Sequence, residues 1–425
     1  MLINNRRELA YTVKIDAIEP IIGSDNCEAA VVGGWKVMTR KGTFKPGDIA
    51  VYFEIDSKVP ETETYAFLEK KHYKVKTQKY TFGGKGCFIS QGLLMALSDF
   101  ETNGGMPTWL ANLKIMATAA IVSNEEERYE KLIHIPLTDE LGVKYSVAED
   151  NKRKASVDKY KRMAQRHWKL FKHNKLVQWL YKRTWGKKIL FLFLGKKRDK
   201  KASFWPEWVV KTDEERVQNL PQLFPGDDTR WIVTEKIDGT STTFTMKREK
   251  RNKYNFYVCS RNVCFDKPEK ECFYETNVYT EMAEKYDIEN VLHEILFEAF
   301  DDKKLDFVTI QGETYGKGIQ QRDYHMEDVK FMAFNVIFGY SNGEVKRLNP
   351  IEMSEFLDLY NVPCVPVLDE NFKLPETIED MVAYADGDST IDGDYREGVV
   401  LRTEDGVNSF KAVSNYYLTT KYSNE

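Results

Sequence analysis

The run TEKIDGT, Thr234–Thr240, places a lysine, a carboxylate and a glycine in close order: Lys236, Asp238 and Gly239. Trp231, Ile232 and Val233 precede it and have the composition of a strand, so Lys236 leaves a strand end with its stem beside a core. A lysine half withdrawn from water and close to other cations can have its pKa lowered enough to act as a nucleophile. Asp238-Gly239 is a tight-turn signal, glycine tolerating the positive φ that a hairpin turn demands. The tetrad alone also suits an ordinary hairpin with a solvated lysine. Further polar residues follow in or beside strand-like runs: Ser260-Arg261-Asn262, Glu313 in IQGETYG, Phe331 in KFMAFNVI, Glu397 in REGVVLR and Lys411 in NSFKAVS. Lysine attack on a triphosphate meets concentrated negative charge, so its chemistry is mostly positioning and charge neutralisation. Cations and carboxylates that can hold a hard divalent ion are the residue types it needs. No GxGxxG or GxxxxGK[ST] follows a strand, which removes Rossmann and P-loop sites.

In this order and at these spacings, over Lys211–Ser414, the runs resemble motifs I, Ia, III, IIIa, IV and V of the covalent nucleotidyltransferases, the polynucleotide ligases and mRNA capping enzymes. The resemblance implies that Lys236 forms a lysyl-nucleotide phosphoramidate. Lys411 would contact the same phosphate and help to lower the pKa of Lys236 by its charge. Glu235 and Gly239 would border the nucleotide, Arg261 would hold the ribose or an incoming 5′-phosphate, and Glu313 would accept hydrogen bonds from ribose hydroxyls. Phe331 would stack on the purine, although a plain core phenylalanine is an equally simple reading. Asp238 and Glu397 would hold Mg²⁺ or Mn²⁺ through the ion's waters. KTDEERVQN is similar to a segment whose arginine, here Arg216, reaches the outgoing phosphates of ATP. Thr212 and Glu215 also make a capping box, which would set Arg216 on an exposed helical turn. Asn335 stands where relatives commonly carry aspartate, so it is not offered as a metal ligand.

These residues need elements to hold them. The 425-residue length predicts two or three domains. Residues 1–105 read as all-β: LAYTVKIDAIEPI, CEAAVVGGWKVMTR and IAVYFEI alternate and are parted by loop compositions. An OB-like barrel is the expected fold, with Lys36, Arg40, Lys41, Lys45, Trp35 and Tyr65 as a nucleic-acid surface. Residues 106–205 are a connector with a basic insertion, and 206–425 are the nucleotidyltransferase domain. In that last domain, helices are expected over Glu271–Phe300, Pro350–Tyr360 and Thr377–Ala385. Strands are expected over Phe307–Gly312, Phe331–Phe338, Gly398–Arg402 and Phe410–Val413. Helices among antiparallel hairpins make it α+β.

Lys152–Lys201 is different in kind. It holds 19 Lys or Arg against Asp158 and Asp199, a charge of +17 in a chain of net −4. Val157, Tyr160, Ala164, Trp168, Phe171, Lys175 and Trp179 keep helical spacing. Binding of an RNA backbone is the expectation. Attachment to an anionic membrane surface and simple packing on a neighbouring domain are the alternatives.

The six cysteines show no CxxC spacing, which suits reduced thiols in the cytoplasm without structural zinc. No signal-peptide core stands at the start, and the apolar run Ile189–Leu194 is too short for stable membrane insertion. DNA ligases and capping enzymes carry an OB domain after motif V, whereas 14 residues follow Lys411 here. The order, with GGWKVMTRKGTFKPGDIAVYFEIDSKVP near the start, resembles RNA ligases that join a 3′-OH to a 5′-phosphate and carry an N-terminal OB module. The reading is therefore an ATP-dependent RNA ligase acting on nicked duplex or structured RNA through lysyl-AMP and RNA-adenylate. A capping-type guanylyltransferase, a DNA ligase and an RNA-binding protein with an inactive core are the alternatives.

Overall fold

The computed structural model describes residues 1–3, 6–82, 86–101, 105–119, 129–146, 170, 174–194, 205–249, 253–261, 263–265, 277–299, 305–320 and 322–421. Asn262, the start of the helix expected from Glu271, and Val157 to Trp168 with Phe171 lie outside the described residues.

The N-terminal unit is built on strands β1 (Ala10–Lys14), β2 (Ala17–Pro20), β3 (Cys27–Val32), β4 (Trp35–Arg40), β5 (Ile49–Phe53) and β6 (Leu93–Ala96). They form two three-stranded antiparallel sheets, in the orders β6-β5-β1 and β2-β3-β4. A short hairpin of Leu2–Ile3 with Arg6–Arg7 precedes them. The alternation of apolar residues gives the barrel two cores. One holds Tyr11, Val32, Trp35, Val37 and Tyr52. The other joins Val51 and Phe53 to Leu110, Leu113, Leu132, Leu137 and Val143. Helix α1 (Thr108–Ala119) and the described residues 129–146 thus pack as part of this unit, beyond the connector boundary expected at residue 105.

Trp35 and Tyr65 are not binding platforms. Both are core side chains, Trp35 lying 5.6 Å from the ring of Tyr52 and donating from Nε1 to Asn219 Oδ1 at 2.7 Å. Lys36 is engaged by Glu19 and Glu379 at 2.8 and 3.0 Å. Alternation along β4 puts tryptophan inside and lysine outside, which composition alone does not separate.

After α2 (Lys175–Tyr181) and α3 (Thr184–Leu194), the C-terminal unit opens with β7 (Glu215–Arg216). The capping-box helix expected there does not form, and Arg216 is buried in this strand. The sequence then gives β8 (Trp231–Glu235), β9 (Thr240–Arg248), β10 (Tyr254–Ser260) and β11 (Cys264–Phe265), followed by α4 (Val278–Lys285) and α5 (Ile288–Glu294). Next come β12 (Leu305–Gly316), β13 (Val329–Tyr340), β14 (Val345–Arg347), α6 (Pro350–Asp358), β15 (Val367–Phe372) and α7 (Ile378–Ala385). The last elements are β16 (Gly398–Thr403), β17 (Ser409–Val413) and α8 (Asn415–Lys421). Asn349 and Thr377 cap α6 and α7 through their side chains, where the polar-then-apolar pattern predicts the starts.

Two sheets carry the unit: β7-β17-β16-β8-β15 and β11-β10-β9-β12-β13-β14. The first buries Val233, Val399, Leu401 and Phe410 under α7. The second buries Phe244, Ile310, Phe331 and Val336 under α4, α5 and α6. Ile55 of the barrel packs with Val413, Tyr417 and Leu418, so β17 and α8 dock the two units together.

Candidate active site

β8 belongs to the five-stranded sheet and β9 to the six-stranded one. Residues 236–239 are therefore a crossing between sheets, not the hairpin turn their composition suggests. Gly239 is not in the left-handed region. It is glycine because a Cβ there would come within 2.4 Å of Thr314 O and 2.9 Å of Glu313 Cγ. The crossing is pinned on both sides: Lys236 N donates to Gly398 O at 3.0 Å and Asp238 N to Tyr324 Oη at 2.7 Å.

Lys236 Nζ lies 2.8 Å from Glu397 Oε2. Burial opposes its charge, but Glu397, Glu313 and Asp238 outweigh burial and raise its pKa. This corrects the expectation that Lys411 lowers it: three carboxylates around Nζ exceed one cation. The lowered lysine is Lys411 itself, held well below its ordinary value by burial and then by Arg7, Arg216 and Lys236. Register explains the pairing. β7 runs parallel to β17 with Arg216 opposite Lys411. The Arg216 guanidinium is buried, 3.8 Å from Asp56 and 6.0 Å from the Trp35 ring, with Nε and Nη1 unpartnered. Buried donors left without a partner cost about 1–3 kcal/mol each, so this cluster favours an anionic guest.

Glu313 stands in β12 between Ser241 of β9 and Met332 of β13, facing the lysine. Burial, with Glu397 and Asp238 close by, pushes its carboxyl up to about 8 against the pull of Lys236. The folded chain thus keeps a proton that an unfolded glutamate releases from an ordinary value of 4.5. Stability contributed by this group is full at low pH and is lost as pH rises from about 4.5 to about 8. Glu313→Gln should remove that loss, on the order of 5 kcal/mol. Thermal unfolding of the nucleotide-free protein at both ends of the window checks it. An unchanged difference between wild type and variant would assign the titration elsewhere.

Arg261 is ion-paired with Asp213, and its guanidinium lies 5.5 Å from the Tyr145 ring. Burial opposes ionisation of Asp213, but Arg261, Lys411 and Arg7 hold its pKa down.

Two expected contacts are not presented to the cleft. Glu235 is buried, its carboxylate accepting from Ser389 Oγ at 2.5 Å and from Thr390 N and Oγ1 at 2.8 and 2.7 Å. It ties the 389–390 loop to β8. Phe331 is fully buried, edge-on to Phe244 at 5.2 Å. Strand alternation puts it on the helix-covered face, opposite to Glu313. Met332, the half-buried cross-strand neighbour of Glu313, shares the side of the sheet on which that carboxylate stands.

The sequence reading missed Arg7, Asp56, Tyr145, Asp213, Tyr324 and Tyr417. Arg7 comes from the hairpin before the barrel, donates to Glu54 at 3.3 Å and has Nε unpartnered. Its pKa is lowered by burial and by Arg216. No local signal marks these residues, because tertiary docking of the barrel brings several of them to the cleft. Among the described residues no three His, Cys, Asp or Glu groups come close enough to chelate a metal directly. No described helix is long and apolar enough to cross a membrane.

The RNA ligase family matches residues 229–413, and an OB-fold domain family matches residues 9–97. None of the curated proteins matches the chain. Among solved structures, Naegleria gruberi RNA ligase with PPi is 24% identical, covering 99% of this chain and 100% of that one, at a TM-score of 0.66. A lysine-to-alanine variant of that ligase with ATP and Mn is 25% identical over 99% of each chain, at 0.65. A glutamate-to-alanine variant with ATP and Mn is 26% identical over 97% and 98%, at 0.66. The fold is therefore shared along nearly the whole length, and Lys236 lies inside the matched ligase domain. The chain thus carries an RNA ligase domain at residues 229–413 behind an OB-fold domain at residues 9–97, in a fold shared with the Naegleria gruberi ligase along nearly its whole length.

Proposed function

We propose that the chain is an ATP-dependent ligase that seals 3′-OH and 5′-phosphate RNA ends, acting in the cytoplasm on nicked duplex or structured RNA. The observation that carries this reading is the division of charge about Lys236. Glu397, 2.8 Å away, raises its pKa together with Glu313 and Asp238, while Lys411, opposite Arg216 in register, is depressed by burial and then by Arg7, Arg216 and Lys236 itself. A nucleoside triphosphate with a divalent ion fits both halves, its phosphates meeting the cations and the ion meeting the carboxylates.

Oxygen donors suit Mg²⁺ or Mn²⁺. With no three-ligand cluster among the described residues, the ion would keep most of its waters against Asp238 and Glu397. When bound, it supplies positive charge that offsets those carboxylates, which lowers the lysine pKa and neutralises the α-phosphate. Lys236 Nζ, once its ammonium proton has passed to water, attacks the α-phosphorus of ATP and loses a second proton to water as it bonds. The N–P bond forms, the α–β bridging bond breaks, and pyrophosphate leaves with Arg216 and Arg7 at its negative charge. Lys411 stays with the α-phosphate through each later step. Arg261, at the β10 end and ion-paired with Asp213, would hold the ribose or the incoming 5′-phosphate. Glu313 takes hydrogen bonds from the ribose, and the apolar contact to the base falls to Met332.

In the second step the RNA 5′-phosphate displaces Lys236 from AMP. In the third the 3′-OH attacks the activated 5′-phosphate and releases AMP. Buried lysine and arginine at the cleft stabilise charge in water-poor surroundings, where each such contact is worth about 2.7–4 kcal/mol in the transition state. Incubation with α-labelled ATP or GTP, then a nicked RNA duplex, tests the whole reading. Label on the protein from ATP alone, followed by sealed RNA, is the expected result. Label from GTP would make it a guanylyltransferase, and no label at all would make it a binding protein.

A further inference from the structure

Helices α2 and α3 are an unusual pair for the surface of a nucleic-acid enzyme. Val177 and Leu190 are buried between them, with Leu180, Tyr181, Phe191 and Leu194 partly buried around that contact. The close approach needs Gly186, where a Cβ would meet Leu180 O at 2.1 Å. One contact cannot use all of the apolar surface, because α3 ends in ILFLFL and is apolar round its whole circumference there. Leu176, Leu192 and Phe193 are 65%, 66% and 82% exposed, and Trp179, Trp185 and Ile189 are exposed as well.

Residues 174–194 also hold Lys175, Lys182, Arg183, Lys187 and Lys188 and no acid. An RNA backbone would use the cations but leaves Leu176, Ile189, Leu192 and Phe193 without a purpose. Base stacking is poorly served too. Arg183 already lies 3.6 Å over the Trp179 ring, and Trp185 meets Trp179 edge-on at 6.1 Å. Tryptophans beside lysines, with leucine and phenylalanine beyond them, match the layers of a bilayer interface: anionic headgroups outside, acyl chains within. At 1.5 Å per residue α3 is about 16 Å long, half of a hydrocarbon core of about 30 Å. It can lie in the interface but cannot span it.

We propose that the α2–α3 hairpin docks the ligase onto an anionic phospholipid surface, with Leu192 and Phe193 entering the acyl layer and the Lys and Arg side chains meeting the headgroups. The catalytic cleft is built from other elements, so docking and adenylylation are separable.

The test is flotation of the full chain with vesicles of phosphatidylcholine alone or with about one-third phosphatidylglycerol. Wild type should float with the anionic vesicles and stay behind with the neutral ones. Leu192→Glu with Phe193→Glu should weaken anionic-vesicle binding about tenfold or more, since both side chains are exposed and would carry charge into the acyl layer. Labelling by ATP and the melting temperature should be unchanged in that variant. The proposal is overturned if wild type does not float, if it floats equally on neutral vesicles, or if the double variant floats as well as wild type. A double variant that loses RNA affinity while still floating would make the hairpin an RNA clamp. Wild type that is dimeric without lipid, and monomeric once substituted, would make it a contact between copies.

Discussion

Lys236→Ala is expected to leave the protein unlabelled by α-labelled ATP, a loss of on the order of 10³-fold or more. No other side chain stands where its amine does, 2.8 Å from Glu397 at the crossing between the two sheets. The neighbouring Lys411 is the lysine with the depressed pKa, but it stands in β17 opposite Val400 and Arg216, and the proposed reading gives it the α-phosphate rather than the attack. Denaturing electrophoresis after incubation reads the outcome. Label appearing on Lys411 or any other residue of the variant would refute the assignment. Lys236→Arg should fail as well, since a guanidinium stays protonated and is no nucleophile. Because Lys236 is protonated in the absence of a divalent ion, labelling should also vanish on chelation with EDTA and return with Mg²⁺ or Mn²⁺.

The second large effect separates two cations that are neighbours in register. Arg216→Ala should slow labelling by ATP on the order of 10²-fold, yet leave sealing of a pre-adenylylated nick within a few-fold of wild type. On the proposed reading its guanidinium meets the leaving pyrophosphate, which is absent from the last step. Lys411→Ala should slow both reactions by on the order of 10²-fold, because the adenylate phosphate is present in each. Both side chains are buried, so thermal unfolding of each variant must accompany the rates. Equal loss in the two assays for Arg216→Ala would remove it from the pyrophosphate and make it a structural link to Asp56.

Chemistry-bearing residues were legible because each sits on a strand whose composition is regular. Lys236, Glu313, Glu397 and Lys411 lie on or beside strands expected from local pattern, and the structure collects them in one cleft. The caps of α6 and α7 were readable for the same reason: Asn349 and Thr377 satisfy backbone donors next to them in sequence. An OB-like barrel followed from short alternating runs, which is again local information.

What tertiary structure decided was facing, partner and charge state. Phe331 and Met332 are adjacent, and strand alternation turns them to opposite faces, but only packing under α4 and α5 says which face is closed. Trp35, read as a platform, is core because its ring packs beside Tyr52 of β5 and its indole N–H donates to Asn219. Glu235 looked like a nucleotide contact until the 389–390 loop, far along the chain, claimed its carboxylate. The sign of the Lys236 shift depends on three carboxylates drawn from three separate segments, and Arg7 reaches the cleft only through docking of the barrel. Local pattern sets backbone state within a few neighbours, so sequence alone determined most strands and the caps of α6 and α7, and it marked the residues offered for the chemistry. Electrostatic free energy depends on distances between segments remote in the chain, and those distances exist only once the two sheets and the barrel have packed.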